Sequence, residues 1–429
     1  MDPDRTLPPH VLIFPLPLQG PVNSMIKLAE LLCLSGLHVT FLVTDHIRTQ
    51  LLKYSNIHSR FTPFPGFRLE SIPDGLPEDH PRSVDGLKEL LGNFKINNRT
   101  RTLFRDLLTS GKLISPVTCI IADGFMGFAC DVANELRIPI IYVRTISACC
   151  LWVFFCLPKL IESGEIPFSE NELDTPIKSI PGMEGFFRRR DLPLFCRSCN
   201  LEDPIFKFHL HEGPLHAHLK FKLTQAGKSS SSNSLLKEDA SCIPWLDSQP
   251  PKSVIYVSFG SLAIMTKEQY VELSHGLVNS GCPFLWVIRG NSVLLELSKG
   301  MEERGCIVEW APQEEVLAHG AVSGFLTHSG WNGTLESVVE GVPMICWPFF
   351  LDQQVNSRYV GEVWKLGLDM KDSCDRVIVE KMVRELMEVR SDEFRKSADQ
   401  MAKVAKECLM KGGSSYCNLE RLVNDIKTM

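Results

Sequence analysis

Short apolar runs rich in β-branched residues alternate with amphipathic stretches along almost the whole chain, and this alternation narrows the possible folds more than any other feature. In the first half the runs are 10–17 (HVLIFPLP), 38–44 (HVTFLVT), 119–123 (CIIAD) and 138–143 (IPIIYV). In the second half they are 253–260 (SVIYVSFG), 284–289 (FLWVIR), 306–310 (CIVEW), 324–328 (GFLTH) and 344–348 (MICWP). A strand that is apolar at nearly every position must be covered on both faces, which a parallel sheet flanked by helices provides. Two such sets predict two doubly wound α/β domains. The polar stretch AGKSSSSNS at 226–234 marks the joint between them. The expected division is a first domain over 1–225, a linker over 226–240, a second domain over 241–410 and a terminal helical segment over 411–429. Ligands of doubly wound sheets bind at the carboxyl ends of the strands, so a two-substrate enzyme would place its site between the domains.

Composition excludes several alternatives. With 44% hydrophobic and 22% charged residues the 429-residue chain is globular, and a net charge of −6 offers no broad basic field for nucleic acid or an anionic membrane. The run Arg188-Arg189-Arg190 reads as a solvated surface. The opening MDPDRTLPPH carries acids and prolines where an export leader would carry positive charge, and the most apolar internal run, 146–157, is too short to cross a bilayer. Fifteen cysteines lie scattered without a regular framework. Reduced thiols and a cytoplasmic location are therefore expected.

The chemistry concentrates in 310–353, WAPQEEVLAHGAVSGFLTHSGWNGTLESVVEGVPMICWPFFLDQ. Trp310 can stack on a flat base, and Gln313 offers an amide beside the turn at Pro312. The strand 324–328 runs through Ser329-Gly330 into a predicted helix. That places His328, Asn332 and the main-chain N–H groups of Gly333 and Thr334 where a diphosphate is favoured by orphan donors and the helix dipole. Glu336, one turn further on, can accept from ribose hydroxyls, and Asp352-Gln353 suits the hydroxyls of a sugar.

In its WAPQ, FLTH, GWN, TLE, GVPM and DQ elements this stretch resembles the signature box of plant family-1 UDP-glycosyltransferases, and the likeness extends from HVLIFPLPLQG through YVSFGS to the final helices. The resemblance implies a GT-B fold of two facing Rossmann-like domains, the terminal helix packing back on the first. It implies an inverting O-glucosyltransferase using UDP-glucose as co-substrate, with no cofactor or metal, acting as a monomer on a small lipophilic metabolite. By the same likeness Trp310 stacks on uracil with the Ala311 main chain beside it, and Trp331 belongs to the GWN element. His328, Asn332, Gly333 and Ser261 hold the phosphates, Glu336 the ribose, and Asp352, Gln353 and Thr145 the sugar. Gln353 closing the box resembles the glucose users. The patterns QGxVNSM, GFFRRRDLP and GPLHAHL look most like the iridoid branch, whose 7-deoxyloganetic acid glucosyltransferases act on a hemiacetal hydroxyl.

The chain departs from the family in three ways. The position of the catalytic histidine, after the glycine of the first strand-to-helix loop, is Pro21, although the aspartate that would orient it is present as Asp123. Asp123 reads equally as a helix cap or as a catalytic group. The acceptor could be acidic enough to need little base, Asp123 could act itself, or the chain could be an impaired UDP-sugar-binding protein. Residue 333 is Gly where Ser is commoner. The chain is also short near 203–218, where family members carry the last strand of the first domain, and less so near 290–304; losing a strand would expose a sheet edge.

Other signals were set aside. His209, His211, His216 and His218 suggest a metal, but no cysteine or carboxylate set completes a shell. Gly227-Lys228-Ser229 lacks the upstream glycine of a P-loop, and no GxGxxG follows the first strand, which argues against a nicotinamide enzyme.

Overall fold

The computed structural model describes residues 7–77, 80, 98–196, 234–289 and 301–429. These form two compact units. One comprises the described residues of Met1–Thr145, His209–Lys237 and Cys408–Met429; the other those of Ile146–Phe208 and Glu238–Glu407.

In the first unit β1 (His10–Phe14), β2 (His38–Thr44), β3 (Phe67–Ile72), β4 (Cys119–Asp123) and β5 (Ile140–Val143) form a parallel sheet in the order β3-β2-β1-β4-β5. Val11 on β1 lies level with Val39 on one side and Cys119 on the other. Strands β1 and β4 are buried at every residue, as continuous apolar runs require. At β5, the sheet's edge among the described residues, Ile140, Ile141 and Tyr142 are only half-buried. Helix Gln19–Leu34 covers the sheet with Val22, Met25, Ile26 and Ala29. Helix Ser414–Thr428 adds Leu419, Val423 and Ile426 to the same core, joined by Leu235 from the far side of the sequence.

In the second unit β6 (Val254–Ser258), β7 (Phe284–Val287), β8 (Gly305–Val308), β9 (Val322–Thr327), β10 (Met344–Cys346) and β11 (Gly367–Asp369) form a second parallel sheet, ordered β11-β10-β9-β6-β7-β8. Both sheets reverse direction of strand order once, between β1 and β4 and between β6 and β9. These switch points are where doubly wound folds bind ligands.

Sequence patterning missed β3 (FRLESI) and β11 (GLD). Both are edge strands, and neither carries the continuous apolar run that marks a central one.

The stretch 146–208 was expected in the first domain, yet its described part groups with the second unit. Helix Ala148–Glu162 packs Cys150, Val153 and Leu157 in one apolar cluster with Ile177, Phe187 and Val355. The arginine run strengthens this attachment and is not a solvated surface. Arg189 pairs with Glu172, and Arg190 with Asp174 and Asp372. The next residue, Asp191, is 0% exposed. It accepts from the Arg188 main-chain N–H at 2.8 Å and meets Arg358 at 3.3 Å and Lys371 at 2.6 Å. A buried carboxylate tolerates desolvation only with such partners.

The expected shortening near 203–218, the histidines at 209–218 and 226–233 of the linker all lie outside the described residues, as does 290–300 of the second shortening.

Candidate functional site

The second unit brings most of the candidate residues to the β6/β9 switch point. Strand β9 ends at Thr327, and Ser329 then takes a left-handed conformation (φ 63°), with its N–H donating to Thr327 Oγ1 at 3.3 Å. This turns the chain into helix Trp331–Glu340, whose N-cap is Gly330 and whose first turn receives no side-chain cap. Main-chain N–H groups at such a helix start are donors of the kind that favour an anion. Glycine is required at two places around it. Gly260, after β6, has φ 67° and a Cβ there would lie 2.8 Å from the His328 ring; at Gly330 it would lie 2.6 Å from His328 Nε2. The imidazole is thus held between two bare stretches of main chain.

Burial pushes the His328 pKa down to about 4, with the Arg289 cation adding to the effect and the Ser258 main chain opposing it. His328 is therefore a neutral imidazole at pH 7, able to donate a hydrogen bond but bringing no charge. His328 Nδ1, Ser329 Oγ, Trp331 Nε1 and Thr334 Oγ1 are all buried without a hydrogen-bond partner among the described residues. Four such atoms within seven residues is a concentration of unmet bonding capacity that ordinary loops do not carry.

Sequence reasoning missed Arg289, which lies two residues beyond β7. Its guanidinium donates to the carbonyls of Ser261 and Ala263, the latter at 2.9 Å, and so holds the loop that carries Ser261. A charged residue at the carboxyl end of an apolar strand run was the available signal.

Gln313 makes two side-chain hydrogen bonds within the protein. Its Nε2 donates to Glu336 Oε2 at 2.7 Å, while its Oε1 accepts from the Tyr256 hydroxyl at 3.3 Å. It therefore orients the Glu336 carboxylate, itself buried in the first turns of the helix. A Cβ on Gly333 would come 3.3 Å from Gln313 Nε2, so the smaller residue leaves this pair room. Trp310 lies half-buried two residues beyond β8, its carbonyl accepting from the Asp239 N–H at 2.7 Å, and Ala311 is buried beside it.

Asp352 and Gln353 open helix Gln353–Arg358. Gln353 Oε1 accepts from the N–H groups of Phe349 and Phe350 at 2.8 and 3.0 Å, which commits its oxygen to the loop and leaves the amide nitrogen as the end for a ligand. Burial raises the Asp352 carboxyl to about 7, with a hydrogen bond from Asn356 pulling the other way.

The first unit holds the other two candidates. Asp123, the last residue of β4, is 1% exposed. Its Oδ1 accepts from the Phe125 N–H at 2.9 Å and lies 3.6 Å from Arg144 Nη1. Arg144, the residue after β5, is also buried and stacks on the Phe125 ring with its guanidinium carbon 4.0 Å from the centroid. Burial raises the Asp123 pKa, while Arg144 and the Phe125 N–H lower it. The aspartate thus caps its own loop and pairs with a cation that the sequence reading did not single out. Pro21 sits in the first turn of helix Gln19–Leu34, where a missing N–H costs nothing. Thr145 follows Arg144, in a different unit from the remaining sugar candidates.

Among the described residues no three histidine, cysteine or carboxylate side chains gather as a metal site, and no helix is long and apolar enough to cross a membrane.

Comparison with known proteins shows the family and the fold. The family model described as UDP-glucoronosyl and UDP-glucosyl transferase matches residues 232–407. A 7-deoxyloganetic acid glucosyl transferase of Catharanthus roseus is 50% identical, with 99% of each chain covered. That alignment runs over 478 positions, more than the 429 residues present here, so this chain carries internal gaps against its relative. A myricetin 3-O-rhamnoside 1,2-glucosyltransferase of Crocosmia x crocosmiiflora is 41% identical over 98% of this chain and 96% of its own. Among solved structures, Os79 of O. sativa in complex with UDP superposes with a TM-score of 0.79 at 27% identity, over 97% of this chain and 100% of that one. With two parallel-sheet units, an uncapped helix behind the signature turn and these relatives, the chain belongs to the UDP-glucoronosyl and UDP-glucosyl transferase family.

Proposed function

We propose that this protein transfers glucose from UDP-glucose to an oxygen of a small iridoid-type acceptor, such as the hemiacetal hydroxyl of 7-deoxyloganetic acid, with inversion to a β-glucoside. The observation that carries the reading is the uncapped first turn of helix Trp331–Glu340 at the β6/β9 switch point, with His328 held beside it. In this reading the orphan N–H groups and the neutral His328 hold the diphosphate. Trp310 and Ala311 hold the uracil and Glu336 the ribose, while Asp352 and Gln353 hold the glucose. The acceptor oxygen forms its bond to the sugar carbon as the bond to the diphosphate breaks, and the diphosphate leaves with its charge already met by fixed donors.

Asp123 supports the hemiacetal reading by what it is bonded to. Its carboxylate is buried and engaged by Arg144 and Phe125, which suits a structural group better than a base open to substrate. A positioned base supplies about 10²–10⁴-fold in rate. An acceptor hydroxyl more acidic than a simple alcohol needs less of that help, and its proton can pass to solvent or the departing diphosphate. We further place the protein in the cytosol as a monomer; none of its described cysteines pairs with another described cysteine, which fits a reducing compartment.

The test is product formation by mass spectrometry from UDP-glucose and a panel of iridoid hemiacetals, carboxylic acids, phenols and alcohols. Glucoside from the hemiacetals in preference to the alcohols is expected. UDP binding with no product from any acceptor would overturn the reading in favour of a UDP-sugar-binding protein.

A further inference from the structure

We propose that Asn356 is a positioning residue that ties the sugar-binding carboxylate of Asp352 to the phosphate-binding turn at Ser329. Asn356 lies in helix Gln353–Arg358, four residues after Asp352, where side chains share a helix face. Its Nδ2 donates to Asp352 Oδ2 at 2.7 Å and to the Ser329 carbonyl at 2.9 Å. One amide nitrogen has two hydrogens in a fixed plane, so satisfying both acceptors sets the distance and angle between them.

Three further observations support the assignment. Asn356 is 1% exposed, so the bridge is shielded from competing water. Its Oδ1 is buried without a partner among the described residues. Leaving an acceptor unmet is unfavourable, and a residue serving only to fill this space would need no amide. Ser329 in turn sits at φ 63°, a conformation L-residues adopt only when their surroundings hold them there. The carbonyl that receives Asn356 belongs to the residue that redirects the chain into the anion-binding helix. The bond to Asp352 also favours its ionised form, which can accept from two sugar hydroxyls.

The far end of the helix is fixed as well. Arg358 Nε donates to the Phe186 carbonyl at 2.8 Å and lies 3.3 Å from the buried Asp191. Lys371 reaches the Gln354 carbonyl at 3.4 Å. Asn356 is the member of this set that reaches toward the ligand groups rather than away from them.

This inference rests on Asp352 contacting the sugar, and the experiment separates the two claims. UDP and UDP-glucose binding are measured by calorimetry for wild type, Asn356→Leu, Asp352→Asn and the double variant, with thermal melts of each. Asn356→Leu is expected to weaken UDP-glucose about 10-fold or more, the size of one hydrogen bond to a charged group, while UDP changes far less. The double variant is expected to bind UDP-glucose no worse than Asp352→Asn alone, since Asn356 acts through that carboxylate. Equal losses for UDP and UDP-glucose, or additive losses in the double variant, would overturn the role of Asn356. An Asp352→Asn variant that binds UDP-glucose as wild type does would instead remove the sugar-binding premise, and the proposal with it. Should Asn356→Leu fail to fold, Asn356→Gln supplies the same comparison, because it keeps the amide but displaces it by one methylene.

Discussion

The two switch points of this molecule are built from different materials. At β6/β9 the site consists mainly of main chain: a left-handed Ser329, two glycines against His328 and an uncapped helix end. At β1/β4 it would depend on one side chain, and that position is Pro21, while the residue meant to orient it is bonded to Arg144 instead. A site made of backbone donors withstands most substitutions, because every residue but proline supplies an N–H. A general base has no such reserve. In the proposed reading, the donor side can therefore remain complete while the acceptor side loses its usual catalyst, and the chemistry must then lean on the acceptor.

The largest test of this contrast is Pro21→His. Restoring a base should raise turnover of phenol or alcohol acceptors by about 10²–10⁴-fold and leave UDP affinity unchanged. Unchanged rates would mean that Arg144 withholds Asp123 from the new imidazole, so that the second site has lost two parts and not one. Removing that cation alone, Arg144→Met, strands a buried carboxylate and should cost about 3–5 kcal/mol of stability in urea unfolding. Adding Asp123→Asn should recover much of it, and a lone Arg144→Met as stable as wild type would show that Asp123 is not ionised in the fold.

On the donor side His328→Ala should weaken UDP binding by about 10–100-fold, the range for a hydrogen bond to a charged group. A loss that vanishes in high salt would point to a charged imidazole and contradict the neutral one.

The smallest effect is on pH dependence, and here two groups of the same site oppose each other. His328 has its pKa lowered to about 4, so between there and its unfolded value near 6.5 the unfolded chain binds the extra proton and stability falls as pH falls. Asp352 has its pKa raised to about 7, so from its ordinary value near 3.8 upward the folded chain holds the proton and stability falls as pH rises. In wild type the two slopes largely offset between pH 4 and 6.5. Asp352→Asn should make stability rise with pH across that window and His328→Ala should make it fall, as measured by urea midpoints at each pH. Parallel slopes in the two variants would refute the opposition.

The strands of both sheet centres were legible in the chain because burial on both faces demands unbroken apolar runs such as CIIAD and HVTFLVT. The edge strands FRLESI and GLD were not, since an edge needs no such run. The residues of 310–353 were legible as a site because strand end, glycine, helix start and carboxylates fall in one register. The partners that orient them were not. Arg144, Arg289 and Asn356 act across 21, 28 and 27 residues of sequence, and nothing local announces such pairings.

By itself the sequence determined two parallel α/β units, the place of the turn from β9 into helix Trp331–Glu340 and the absence of an ionisable side chain at Pro21, because each of these follows from residue type and short-range order. Only the tertiary structure decided that Gln313 serves Glu336, that Arg188–Arg190 and Asp191 fasten 146–196 to the second unit, and that Asp123 is held by Arg144. The physical reason is burial: a charged or amide group removed from water takes whichever partner the fold brings within 3–4 Å, and that partner is chosen by packing, not by neighbourhood in the chain.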